Sequence, residues 1–430
     1  MPRVRLSGCV RGVDSPLAAH RRRPGIGLIV ERERVSLPDG QIGQIGQMGQ
    51  IGQVGPDADA FFMAEALSLA ASTPVRPWPN PPVGAVVVRG GRIVGRGAHH
   101  GPGTPHAEVL ALREAGDLAS GATLYVTLEP CNHTGRTPPC APSVAESGVT
   151  RVVVAMRDPN PQVKGGGCRF LREHGLVVNI GTGAAAALEL VWPFAVTDGF
   201  KRPFVELKTA TSLDGRFAPP AARRSLVAPV YLTSEAARRQ VHGRRRWSDA
   251  VVVGEGTAVA DRPLLDGRLV AGDTGVPGTE PVAVYLDTDL SWTGGLGRSP
   301  FMVIAGERAR TSPNLAAIRA AGGEVVFAAE SEGRLDLAAV LAALHGRGLS
   351  ALMFEGGPVL SSALLAAGLV DRWRQFVAPV ALGDGVGWPA VAPVAGAGTF
   401  TLTRTGTAGP DALLVHDRLS FAAKLDQVSR

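Results

Sequence analysis

The chain is 430 residues long, 45% hydrophobic and 5% aromatic, with 55 glycines, four cysteines and a formal net charge of +6 at pH 7. That length exceeds one ordinary core and calls for two domains, and no run of about 18 apolar residues is present that would form a membrane-spanning helix. The small charge does not separate an anionic metabolite from nucleic acid as a partner, and so few cysteines read as metal ligands or reduced thiols of a cytoplasmic protein rather than as a disulfide scaffold.

Residues 1–56 differ in composition from the rest. Between Gly40 and Gly55 the chain repeats Gly-Gln-apolar in threes, without the prolines and the length a collagen helix needs. The short apolar stretch Gly25–Val30 runs at once into Glu31-Arg32-Glu33-Arg34, which excludes a signal peptide. This stretch is expected to be a disordered leader, or upstream sequence joined by a misplaced start codon.

Ordered structure is expected from Asp57. The apolar spacing of Phe62, Ala66, Leu69 and Ala70 predicts a helix to Ala71. Pro82–Val88 and Arg92–Ala98 read as a hairpin across Gly90-Gly91. A helix follows over His106–Glu114, with Pro105 at its start and Gly116 at its stop. Thr123–Leu128 then reads as a strand, Pro139–Glu146 as a helix, Arg151–Ala155 as a strand, Cys168–Glu173 as a helix and Leu176–Ile180 as a strand. This alternation implies a three-layer α/β unit over residues 57–200. A crossing punctuated by proline and glycine, Trp192-Pro193 to Pro203, is expected to end it.

A second α/β series fills residues 201–425. Its expected strands are Phe204–Ala210, Ala250–Val253, Val282–Leu286, Phe301–Ala305, Glu324–Phe327 and Ala351–Phe354. Its expected helices are Ser234–Val241, Leu337–Leu344 and Leu360–Ala367. The arginines at 238, 239, 244, 245 and 246 read mostly as a solvated helix face.

The chemistry concentrates in the first unit. His106 stands at a helix start, Cys131 follows Pro130 after a buried strand, and Cys140 follows Pro138-Pro139 at the next helix start. One imidazole and two thiolates suit a three-ligand zinc site with its fourth position open, and helix N-termini favour the thiolate form. Glu108, two residues beyond His106, is placed to move protons without binding the metal. The pattern resembles the deaminase signature H-x-E followed by P-C-x-x-C, but with eight residues between the cysteines instead of two. A structural zinc would need a fourth protein ligand, for which His133 is the nearest candidate. His99 and His100 read equally as pocket lining or as strand ends.

The segments Asn80-Pro81-Pro82-Val83-Gly84, His106-Ala107-Glu108, Thr127–Cys140 and Asp158–Gly167 resemble the bifunctional deaminase/reductase (RibD) family of riboflavin biosynthesis, in which the long inter-cysteine loop is usual. Arg202–Arg216, Val251–Arg268 and Phe354–Asp371 are similar to the reductase half of that family. The resemblance implies a cytidine-deaminase-like N-terminal domain and a dihydrofolate-reductase-like C-terminal domain. It implies one zinc ion, held by His106, Cys131 and Cys140, for hydrolytic deamination of a phosphoribosylaminopyrimidine, with Glu108 as the acid/base and Asn80 holding the ring. It further implies reduction of the ribosyl group to ribityl by NADPH, with Ala210, Thr257, Asp261, Gly356, Gly357 and Pro358 against the cofactor and Tyr231 stacked on it. Arg245, Leu265, Arg268 and Glu355 would contact the substrate, the arginines suiting its phosphate. No G-x-G-x-x-G fingerprint opens a βα unit.

The chain departs from the family pattern at Pro229 and Tyr231, where Ser-x-Trp is usual, and at Arg262, where Asp is usual. These departures bear on the reductase half and on cofactor choice. The expected partner is thus a small phosphorylated pyrimidine, with neither nucleic acid nor membrane, and self-association into a homo-oligomer is left open. Two other readings compete: a nucleobase or nucleoside deaminase with an inactive or unrelated C-terminal domain, and a non-catalytic zinc module. The scarcity of aromatics near His106 and Cys131 disfavours base stacking.

Overall fold

The computed structural model describes residues 56–72, 80–101, 103–133, 138–160, 166–200, 202–220, 231–269, 280–291, 300–389, 400–418 and 427–429. The leader expected over residues 1–56 lies, but for Pro56, outside the described residues, as does Pro229. No described helix is long and apolar enough to cross a membrane.

The first unit comprises α1 (Pro56–Ala71), β1 (Gly84–Arg89), β2 (Arg92–Ala98), α2 (Ala107–Ala115), β3 (Thr123–Val126), α3 (Cys140–Glu146), β4 (Arg151–Val154), α4 (Gly166–Glu173), β5 (Val177–Ile180) and α5 (Ala184–Phe200). Its sheet runs β2-β1-β3-β4-β5, antiparallel from β2 through β3 and parallel from β3 to β5. Gly90 and Gly91, both at positive φ (55° and 73°), make the tight hairpin turn that glycine permits. Strand β1 is buried on both faces from Gly84 to Val88, as a sheet between two helical layers must be. α1 packs with α5, and α2 with α3 and α3 with α4.

The helices sit close because the strands carry glycine where they cross. A Cβ on Gly84 would fall 2.0 Å from the Ala66 carbonyl oxygen of α1, and one on Gly97 2.0 Å from the Ala107 carbonyl oxygen of α2. The start of α2, where His106 and Glu108 sit, is therefore set by the backbone of β2.

Two features depart from the sequence expectation. The crossing expected from Trp192 is helix: α5 continues through Pro193 to Phe200. Ala187, Leu188, Val191, Trp192 and Ala195 are all buried, and this apolar face outweighs the cost of roughly 3 kcal/mol that proline carries inside a helix. The chain also returns: Val428, near the C-terminus, is 2% exposed and belongs to the core of the first unit, and its carbonyl accepts the Arg157 amide at 2.8 Å.

The second unit comprises β6 (Phe204–Ser212), α6 (Glu235–Arg246), β7 (Ala250–Gly254), α7 (Glu255–Asp261), β8 (Val282–Leu286), β9 (Phe301–Gly306), α8 (Leu315–Ala320), β10 (Gly323–Ala328), the short pair β11 (Glu330–Ser331) and β12 (Arg334–Leu335), α9 (Leu337–His345), β13 (Ala351–Phe354), α10 (Pro358–Ala366), β14 (Arg372–Ala378), β15 (Phe400–Ala408) and β16 (Asp411–Arg418). Nine strands form the order β10-β9-β8-β7-β13-β6-β14-β16-β15. The strands from β10 to β14 are parallel, and β16 and β15 close the far edge antiparallel. One core lies under α6 and α7 and the other under α9 and α10. In such sheets ligands gather beyond the carboxyl ends of the strands, and Glu355–Pro358 follow β13 at that end.

Candidate functional site

His106 is the N-cap of α2 in extended conformation, and its side chain caps nothing. The ring turns instead to the cysteines: its Nδ1 lies 2.9 Å from Cys140 Sγ and 3.5 Å from Cys131 Sγ. Cys140 opens α3 and its amide donates to Cys131 Sγ at 3.3 Å. All three ligand atoms lie within 4.8 Å of one another. Metal–ligand bonds of about 2.0–2.3 Å in a tetrahedron set donors roughly 3.5 Å apart, so one nitrogen and two sulfurs at this spacing fit zinc. His133 is exposed and outside this group.

The electrostatics of the metal-free triad divide its members: one sulfur is set toward thiolate, while the other two ligands are held toward protonated forms that metal binding would displace. The Cys140 thiol, the Cys140 amide and the His106 ring hold Cys131 as a thiolate, down to about 4, against the opposing effect of burial. Hydrogen bonding to Cys131 and burial push Cys140 up, and the Cys131 bond raises His106. Glu108, on the first turn of α2, is 3% exposed. Burial drives its carboxyl up to about 7 and the Cys131 charge adds to this, while its own backbone amide pulls the other way. A carboxyl titrating there can both take and give a proton.

Asn80 joins the same site through His99. Its Nδ2 stands 3.0 Å from His99 Nε2, and His99 Nδ1 is 3.3 Å from the Pro105 carbonyl oxygen. Since a carbonyl only accepts, Nδ1 carries the proton and Nε2 accepts from the amide. The His99 ring in turn stands edge-on to His106, 5.1 Å between centroids. Of the two histidines the sequence left ambiguous, His99 is thus a buried support and His100 is exposed.

In the second unit the structure joins residues distant in sequence. Arg245 grips Glu355 through Nε and a terminal nitrogen, at 2.6 and 3.1 Å, and donates to the Asp266 carbonyl oxygen at 3.0 Å. Arg268 pairs with the Asp266 carboxylate. Leu265, the residue before Asp266, is buried at φ 55°. Gly357 caps α10, with Pro358 in its first turn, and the Gly357 amide donates to the Thr257 hydroxyl at 3.2 Å. Ala210 packs near Phe376 in the α6-side core, and Asp261 ends α7, exposed. Tyr231 is 58% exposed and its ring lies under the Arg238 guanidinium at 4.5 Å.

The solvated-face reading of the α6 arginines fails for most of them. Arg244 pairs with the buried Glu206 at 2.8 Å and Arg245 with Glu355. Arg246 packs its stem where a Gly267 Cβ would stand, and Arg238 covers Tyr231. Among the five, Arg239 fits the expectation, in an exposed pair with Glu235. Arg244 and Arg245 find buried carboxylates on β6 and just beyond β13, which a helix read in isolation cannot reveal.

Sequence reasoning also passed over Lys208. It lies on β6, 3.8 Å from the Glu355 carboxylate. Burial lowers its pKa, and Glu355 only partly restores it. The signal was a strand reading Glu206, Lys208, Ala210 on one face, with charges directed toward α6.

Comparison with known proteins agrees with both halves. Residues 203–414 match the family described as the RibD C-terminal domain, and residues 56–156 match the cytidine and deoxycytidylate deaminase zinc-binding region. The riboflavin biosynthesis protein RibD of Escherichia coli is 37% identical over 380 residues, covering 83% of this chain and 98% of that protein. RibD of Mycobacterium tuberculosis is 38% identical, covering 78% and 91%. Among solved structures, Acinetobacter baumannii RibD superposes with a TM-score of 0.69 at 33% identity, over 85% of this chain and 99% of that one. A Thermotoga maritima diaminohydroxyphosphoribosylaminopyrimidine deaminase/5-amino-6-(5-phosphoribosylamino)uracil reductase gives 0.68 at 33%, over 84% and 99%.

Proposed function

The chain belongs to the RibD family, the bifunctional deaminase/reductases of riboflavin biosynthesis, and from that premise we propose which of its residues carry the two reactions. The zinc deaminase domain acts first, on a pyrimidine bearing a phosphoribosylamino group, and the reductase domain then converts the ribosyl group to ribityl. The proposed boundaries are residues 57–200 and 201–425. The observation that carries the reading is the convergence of His106, Cys131 and Cys140 within 4.8 Å, beside the buried Glu108.

His106, Cys131 and Cys140 would hold zinc, whose Lewis acidity makes water acidic enough to attack near neutral pH. Glu108 accepts the proton released by the attacking water and returns it to the departing amine. Asn80 orients the pyrimidine, and the His99 bond keeps its amide from turning. In the second half a nicotinamide cofactor, proposed to be NADPH, supplies hydride. Ala210, Tyr231, Thr257, Asp261 and Gly356–Pro358 would form its cradle, where the start of α10 offers partial positive charge to a phosphate. Arg245, Leu265, Arg268 and Glu355 hold the substrate, and the Glu355 grip leaves the Arg245 fork rigid.

The test is metal removal from the full chain. Dialysis against a chelator should abolish ammonia release while leaving NADPH oxidation on the deaminated substrate intact, and zinc should restore the first. Loss of neither activity, or of both together, would contradict the assignment.

A further inference from the structure

Glu129 lies two residues before Cys131, is 3% exposed and has no part in the reactions above. Its backbone extends the β3–β4 ladder, with its amide donating to the Met156 carbonyl at 2.9 Å. Its side chain does something different. One carboxylate oxygen accepts the Cys168 amide at 2.8 Å, inside the first turn of α4, and the other accepts the Asp158 amide at 3.2 Å. No cation balances it in these two bonds. The two oxygens face the amide end of a helix and a loop amide, so the side chain serves there as a double acceptor.

Three segments therefore meet on one side chain: the strand end leading into Cys131, the loop beginning at Asp158, and the start of α4. The packing around it leaves no slack. A Cβ on Gly167 would fall 1.8 Å from the Pro130 carbonyl oxygen, so α4 presses directly on the peptide preceding Cys131. The Asp158 loop is shaped further by its own side chain, whose oxygen accepts the Asn160 amide at 2.8 Å.

We propose that Glu129 is a positioning residue for the deaminase site, clamping the Cys131 loop to the Asp158 loop and α4 so that the second metal ligand is held in register. The inference rests on the zinc-site reading above. The clamp requires a double acceptor of full length. Glutamine matches the shape but turns an N–H donor toward one of the two amides, leaving a buried clash of donors. Aspartate keeps the charge but cannot span both amides. Supports of this kind typically change metal affinity 10- to 100-fold when lost.

The experiment uses the full chain with Glu129→Gln and Glu129→Asp. Zinc affinity is read by chelator competition, exchange of the Asp158 and Cys168 amides by hydrogen–deuterium exchange of the metal-free protein, and ammonia release and NADPH oxidation by turnover. Glu129→Gln should bind zinc 10- to 100-fold more weakly, exchange both amides faster and lose deamination at least ten-fold at saturating zinc, with reductase turnover unchanged; Glu129→Asp should fall between it and wild type. Wild-type zinc affinity and wild-type exchange in the Gln variant overturn the proposal. So does loss of reductase turnover in both variants, which would assign Glu129 to the fold as a whole. A wild-type chain that binds no zinc in the same titration refutes the site reading instead.

Discussion

Replacing Gly97 by alanine tests whether the backbone of β2 sets the helix that carries His106 and Glu108. The added methyl would stand 2.0 Å from the Ala107 carbonyl oxygen and 2.7 Å from the Ala111 amide nitrogen. Both are helix backbone, so no rotamer change relieves the contact. The start of α2 must retreat by roughly 1.4 Å, carrying His106 and Glu108 with it, before the contact becomes an ordinary one. Overpacking of this kind costs about 1–3 kcal/mol of stability. A displacement of roughly 1 Å at reacting groups costs about 100-fold in rate. Gly95→Ala is the matched control, because its methyl would meet the Ala111 carbonyl oxygen at 2.1 Å, a turn further from the site. The two variants should lose similar melting temperature, while Gly97→Ala loses far more ammonia-releasing kcat; NADPH oxidation reports that the second unit is intact in each. Equal kcat in the two variants, or wild-type kcat in Gly97→Ala, would refute the reasoning.

Arg268→Ala should raise the KM of the reductase step ten-fold or more, by removing a guanidinium from the proposed phosphate grip, with ammonia release unchanged in parallel assays. Val428→Ala opens a cavity in the first core and should lower stability by roughly 1–3 kcal/mol, seen as earlier loss of deaminase than reductase activity on heating. At Glu206 burial opposes ionisation, but Arg244, Arg374 and Arg372 outweigh it and hold the carboxyl well below the usual range. A depressed carboxyl pKa contributes stability above its unfolded value and loses it as pH falls. The wild-type melting temperature should therefore drop more steeply between pH 5 and 3 than that of Glu206→Gln, which starts lower because Arg374 loses its buried partner; parallel thermal scans across that range decide it.

What the sequence disclosed, and what it hid, follows from how local each signal is. His106, Glu108, Cys131 and Cys140 lie within one stretch of chain, and helix starts place three of them, so spacing alone brings them together. The Arg245–Glu355 pair spans 110 residues, and no local pattern reports such a contact. Strands β14 to β16 went unread beyond Ala367 because Arg372, Arg374 and Asp417 point inward. Arg372 and Asp417 pair at 2.6 Å, each 2% exposed, so buried charges stand where the alternation rule expects apolar side chains. The continuation of α5 through Pro193 fails for the opposite reason: a local breaker is overridden by tertiary burial of Val191, Trp192 and Ala195. Glu129 lies inside the Thr127–Cys140 motif and His99 beside the first ligand, yet neither role could be read there, since each consists of bonds to residues distant in sequence: Asn80 for His99, Asp158 and Cys168 for Glu129.

The division of labour between the two units is tested most directly by Glu108→Gln in the full chain, supplied separately with the aminated and the deaminated pyrimidine. The account predicts one zinc per chain, ammonia release reduced by at least 100-fold, and NADPH oxidation on the deaminated substrate at the wild-type rate. Ammonia release at the wild-type rate, or no NADPH oxidation by a zinc-loaded and folded protein, would contradict it.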